Sequence, residues 1–205
     1  MKKVMISLCF VLGLSGCISI PNSPTSRFYV LSSIDQDQVS QKFNIPSDVI
    51  IGIGPVKIPE YQNRPQMVTQ SQEKMLKFAQ FDRWGESLNI GVSRLIREDL
   101  TVMLPRAKFT LYPWNPSTAV KYRVTVEVVK LDSDLGGNMI FVAQWLVLDM
   151  QNIKTLVIKR SEFRQAIIPQ NYSGLTKTLS LACASVSGDI AQALSTLETA
   201  RLKTK

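Results

Sequence analysis

The cleanest regularity in the chain runs over residues 120–128. There Val120, Tyr122, Val124, Val126 and Val128 face one way and Lys121, Arg123, Thr125 and Glu127 the other. A period of two with one apolar and one polar side predicts a strand with one buried face and one wetted face. Gly136-Gly137-Asn138 then supplies turn chemistry, residues 139–150 make a longer, more apolar strand, Gln151-Asn152 turns, and residues 155–166 return. The stretch predicts an antiparallel meander. Residues 48–56 are β-branched and apolar with little alternation, the pattern of a central strand covered on both faces and ended by Pro55 and Pro59. Gly52 and Gly54 within it read as close backbone packing or a bulge, because a phosphate loop needs a third glycine, a lysine and a following helix. Shorter strands are expected at 27–31, 66–70 and 74–78, the last two as a hairpin through 71–73, with a polar surface loop over 32–47.

Two segments switch to a helical period. Over residues 86–104, Leu88, Val92, Leu95, Ile96, Leu100, Met103 and Leu104 share a side, Arg94, Arg97, Glu98 and Asp99 lie elsewhere, and Pro105 stops the helix. Arg94 and Arg97 are either ordinary solvated charge or a contact with lipid headgroups. Over residues 173–197 the stripe is Leu175, Leu179, Ala182, Val186, Ile190, Ala193, Leu194 and Leu197, with a cap at Ser173 or a neighbour. Small residues (Ser180, Ala184, Ser185, Ser187, Gly188, Ala191 and Ser195) fill much of the remainder. Gly188 inside a helix costs about 1 kcal/mol relative to alanine, which calls for close approach either to the sheet or to a neighbouring subunit. The tail over 201–205 should fray. These elements predict an α/β chain of the α+β type: one domain with a mixed, largely antiparallel sheet packed by two long helices.

The N-terminus has a different logic. Lys2 and Lys3 precede eleven residues, Val4 to Leu14, that are apolar or small apart from Ser7, and Ser15 and Gly16 follow. This is a basic region, an apolar region and a cleavage site, and the apolar run is too short to cross a bilayer core of about 30 Å. Leu14-Ser15-Gly16-Cys17 resembles the bacterial lipobox, which implies a signal peptide at 1–16 and lipid attachment at Cys17. Ile18 and Ser19 follow where an aspartate would retain an enteric lipoprotein in the inner membrane, so the resemblance points to the periplasmic face of the outer membrane. Residues 17–26, rich in proline, serine and asparagine, read as a tether, residues 27–199 as the domain and 200–205 as a tail.

Charge and composition narrow the function. The formal charge of +8 falls to +6 once Lys2 and Lys3 leave with the signal. Export makes anionic headgroups or an acidic protein the natural partners, with no role for nucleic acid. Of three cysteines, Cys9 leaves with the signal and Cys17 is acylated, so Cys183 has no intramolecular partner and reads as a small buried hydrophobe. The absence of histidine removes Ser-His-Asp and Cys-His catalysis and the usual zinc sites. Asp132, Asp134 and Glu60 are the remaining candidates for carboxylate chemistry, at no diagnostic spacing. No catalytic residue, metal site or cofactor is assigned.

Two motifs outlast these structural explanations: Ile58-Pro59-Glu60-Tyr61-Gln62-Asn63-Arg64-Pro65-Gln66-Met67-Val68, and Phe81-Asp82-Arg83-Trp84-Gly85-Glu86-Ser87-Leu88. Behind a lipobox and a Phe-Tyr-Val-Leu strand, they resemble the PqiC/YmbA-type ABC transport auxiliary lipoproteins, in which a tryptophan followed by glutamate and leucine opens the first long helix. The chain departs from that pattern at Gln62 and Asn63, where leucine and an acidic residue are common. The resemblance implies a non-enzymatic subunit that forms rings at the outer membrane, partners an MCE-domain lipid-transport protein and supports envelope integrity. Tyr61, Arg64, Arg83 and Trp84 are the candidate partner or oligomer contacts: amphipathic rings beside cations that suit acidic groups. Trp84 has the alternative of stapling the helix start to the sheet. A monomeric periplasmic lipid- or ligand-binding lipoprotein is the competing reading.

Overall fold

The alternating stretch becomes β6 (Tyr122–Ser133), whose Tyr122, Val124, Val126 and Val128 are buried while Glu127 is exposed. β6 pairs antiparallel with β7 (Asn138–Asp149), and β7 with β8 (Lys154–Ala166), so the meander forms as expected. On its other side β6 runs parallel to β2 (Ile50–Lys57), and β2 runs parallel to β5 (Lys108–Leu111), in the order β5-β2-β6-β7-β8. The structure, a computed structural model, describes residues 24–34, 41–71 and 73–203. The signal region, Cys17 and the first part of the tether lie outside the described residues.

The central position of β2 explains its composition, since a strand flanked on both edges and covered by a helix has little use for polar alternation. Pro55 does not end it. The register with β6 shifts between Ile53 and Val56, and Pro55, which has no N–H for a ladder, sits in that irregularity beside Gly54 at φ +110°. Gly52 answers the close-packing expectation: a Cβ there would lie 2.6 Å from the ring of Trp114.

A second sheet packs beside the first without sharing its ladder, so the described residues hold two mixed sheets where one was expected. β1 (Arg27–Tyr29), β4 (Leu76–Trp84) and β3 (Gln66–Gln70) lie in the order β1-β4-β3, with β1 parallel and β3 antiparallel to β4. The predicted hairpin is present, but its second strand continues past residue 78 through Phe81-Asp82-Arg83-Trp84. Trp84 therefore closes a strand and does not open a helix. Its N–H donates to the Pro65 carbonyl at 2.8 Å, and the next N–H, from Gly85, donates to Tyr29 at 2.8 Å.

The helices are α1 (Leu88–Met103) and α2 (Tyr172–Lys203), packed on each other and on one face of the five-stranded sheet, α1 over β2 and β5 and α2 over β7 and β8. All seven residues of the predicted α1 stripe are buried. α2 runs six residues past the expected end at 197. Glu198, 2% exposed, accepts from Lys121 and from the Tyr122 hydroxyl, and this ties α2 to the start of β6 just before the expected tail, whose residues 201–203 continue the helix in an exposed position. β5 had no counterpart in the periodicity, because four residues beside the core strand are too few to establish one.

Candidate functional site

The segment after β2 folds as successive tight turns. The Gln62 and Asn63 N–H groups both reach the Pro59 carbonyl, at 2.8 and 3.1 Å, and Arg64 N–H reaches Gln62 at 3.0 Å. The two residues that depart from the expected pattern have internal roles. Gln62, 4% exposed, donates its side-chain amide to the Leu131 carbonyl at 2.8 Å and ties the segment to the end of β6. Asn63 accepts the Asn89 N–H at 3.1 Å. Ser87 precedes α1 but makes no side-chain cap bond, so Asn63 caps the helix from a distance by satisfying one of its orphan donors.

The remaining motif residues divide by burial. Trp84 is 7% exposed and belongs to the core, with its indole N–H buried and unpaired. This is the packing alternative for Trp84, and it leaves the ring no free face for another molecule. Asp82, which the sequence reading did not single out, is 4% exposed. It accepts from Arg27 Nε at 2.7 Å and Nη2 at 2.8 Å and from the Tyr29 hydroxyl at 2.8 Å. The Arg27 guanidinium holds the Asp82 carboxyl below the usual carboxylate range, against the opposing effect of burial. Asp82 fastens β1, and with it the chain arriving from the N-terminus, to β4. A sequence signal existed in the opposite charges of Arg27 and Asp82, but only the parallel register of β1 and β4 sets them side by side.

Arg83 lies level with Phe28 on one neighbouring strand and with Gln66 on the other. Gln66 accepts from Arg64 Nε at 3.3 Å, and the Arg64 guanidinium stands over the Phe78 ring at 4.4 Å. Phe28, Arg83, Gln66, Arg64 and Phe78 thus form a continuous cationic and aromatic strip on the small sheet. Phe28 is 67% exposed and Phe78 49%. A guanidinium over a ring keeps its N–H donors free at the edge, the geometry that recognises carboxylates. Tyr61 is exposed but lies elsewhere, where desolvation and the nearby Asp132 charge push its phenol pKa up and Lys130 opposes them.

Other polar candidates are committed within the fold. Arg94 bonds Glu86 at 2.7 Å, Glu98 at 2.9 Å and the Leu31 carbonyl at 2.9 Å, and Arg97 bonds Glu98 at 3.3 Å, so the headgroup reading of these arginines loses its free cations. Asp132 pairs with Lys130 at 3.1 Å, and Asp134 accepts the Gly136 N–H at 3.1 Å as a turn carboxylate.

The fold has solved counterparts. An uncharacterised protein superposes with a TM-score of 0.67 at 16% identity, covering 83% of this chain and 99% of its own. Protein XCC0632 from Xanthomonas campestris superposes with a TM-score of 0.66 at 6% identity, covering 85% of this chain and 99% of its own. At such identities the likeness is one of fold. No curated protein matches the chain. The family model of the ABC-type transport auxiliary lipoprotein component matches residues 29–191, from β1 through most of α2 and across both motifs, and the chain belongs to that family.

Proposed function

We propose that the chain is a non-catalytic, lipid-anchored periplasmic subunit of an MCE-type intermembrane lipid transport system, held at the outer membrane through Cys17 and assembled as a ring that supports envelope integrity. Membership of a transport auxiliary family implies a transporter partner. The observation that carries the reading is the strip on the small sheet. Arg64 and Arg83 present cations beside exposed rings on a frame fixed by Asp82, Gln62 and Asn63. Such a surface suits acidic groups of an MCE-domain protein, and the exposed Tyr61 supplies a second contact.

Photo-crosslinking in living cells from positions 61 and 83 tests this reading. The expected products are adducts with the MCE-domain protein and with a second copy of this chain. Adducts with neither, from a chain that is produced and folded, overturn it. The competing lipid binder draws on a groove of about 410 Å³ between residues 28–34 and α2, lined by Phe28, Val30, Ile34 and Leu181 among others. That reading requires phospholipid in extracts of the purified protein, read by mass spectrometry.

A further inference from the structure

The hairpin joining β3 to β4 exposes an unusual run of side chains. Met75 is 57% exposed, Leu76 39% and Phe78 49%, on nearly consecutive positions, with Lys74 and Lys77 interleaved and Glu73 the one acid beside them. The backbone around them is firmly tied. Ser71 N–H donates to the Met75 carbonyl at 2.9 Å, Lys74 N–H to Ser71 at 2.8 Å, and the Gln70 amide to the Lys74 carbonyl at 3.2 Å. On this backbone Met75, Leu76 and Phe78 stay exposed.

The direction of the tether bears on what meets this tip. β1 is parallel to β4, with Arg27 level with Asp82 and Tyr29 level with Trp84. The chain before Arg27 therefore leaves the small sheet toward the earlier residues of β4, the end where the tip lies. Six residues separate Asp82 from Leu76, on the order of 20 Å of strand. Ten separate Cys17 from Arg27, a reach of about 33 Å. A lipid on Cys17 and the hairpin tip can meet one bilayer surface together.

We propose that the β3–β4 tip is a second membrane contact, with Met75 and Leu76 entering the interfacial layer of a bilayer and Lys74 and Lys77 meeting its anionic headgroups. The proposal rests on Cys17 being the lipid anchor. Apolar side chains flanked by lysines match such a surface in both polarity and charge. The contact fixes the orientation of the small sheet relative to the membrane, which a single lipid anchor does not.

The test uses the mature protein purified from cells, carrying Met75→Cys with a spin label, since Cys183 is buried. Vesicles of phosphatidylethanolamine and phosphatidylglycerol are added, and mass spectrometry of the N-terminal peptide reports the acyl groups separately. The label is expected to gain oxygen accessibility and lose contact with a water-soluble nickel relaxant. In a Lys74→Gln/Lys77→Gln background its ratio of buried to water-exposed signal should fall about thirtyfold. A label that stays in water on vesicles while Cys17 is acylated overturns the proposal. If no acyl mass is found, the anchor reading fails by that measure alone. The proposal, which rests on that anchor, falls with it.

Discussion

Asp99 carries its carboxyl into the core from α1, where Oδ1 accepts from the Ile34 N–H at 3.1 Å and Oδ2 from the Ser187 hydroxyl at 3.3 Å. The position looks out of place in sequence, since a carboxylate between Glu98 and Leu100 reads as part of a wetted face. Burial pushes its pKa to about 7, against the lowering effect of those two hydrogen bonds. The folded chain therefore holds a proton that the unfolded chain releases near pH 4, and the stability due to that proton is complete below the unfolded value and lost as pH rises through about 7. Each pH unit in the window costs at most about 1.4 kcal/mol. Asp99→Asn keeps an acceptor for Ile34 and has no proton to lose. Urea denaturation from pH 5 to 8 should show the variant gaining on the natural protein as pH rises. Equal slopes for the two would place the pH dependence elsewhere. Cys183, 1% exposed on the neighbouring helix, has its thiol pKa raised by burial and packs as the small hydrophobe its position predicted.

At the scale of elements, α2 depends on interactions that helical periodicity does not express. Its last turns are held by Glu198 against Lys121 and Tyr122, at the start of β6. Glu198→Ala removes a carboxylate that is 2% exposed and leaves Lys121 without its partner. The expected loss is about 3 kcal/mol by urea denaturation, with faster hydrogen exchange over the residues that follow. Gly188 behaves differently. The nearest atom to an added Cβ is Met103 Cε at 4.0 Å, an ordinary contact, so close approach to the sheet does not account for this glycine. Gly188→Ala should stabilise the single chain by about 1 kcal/mol. If a neighbouring copy approaches α2 there, the same variant should assemble less well, which light scattering at matched concentrations reads directly.

For the whole molecule, Cys17→Ala should leave the fold intact, since the buried core is built from residues between Leu31 and Leu194, and should move the protein out of the membrane fraction on cell fractionation. Retention of the variant in that fraction would transfer the anchoring role to a protein partner. The meander, the buried strand β2, both helix stripes and the α+β class could be read from the sequence because each is a local repeat of period two or 3.6, and a residue's nearest neighbours carry that information. The bundle of interactions around the candidate site could not. That Trp84 is core, that Asp82 holds β1, that Asn63 caps α1 and that Arg64 covers Phe78 all depend on residues brought together from distant parts of the chain. The division into two sheets depends in the same way on strand pairings no local pattern encodes. The sequence by itself determined most of the strands and both helices, because each is a local repeat. Tertiary structure decided which motif residues face outward, because burial and pairing belong to neighbours in space, and those are chosen only when the sheets form.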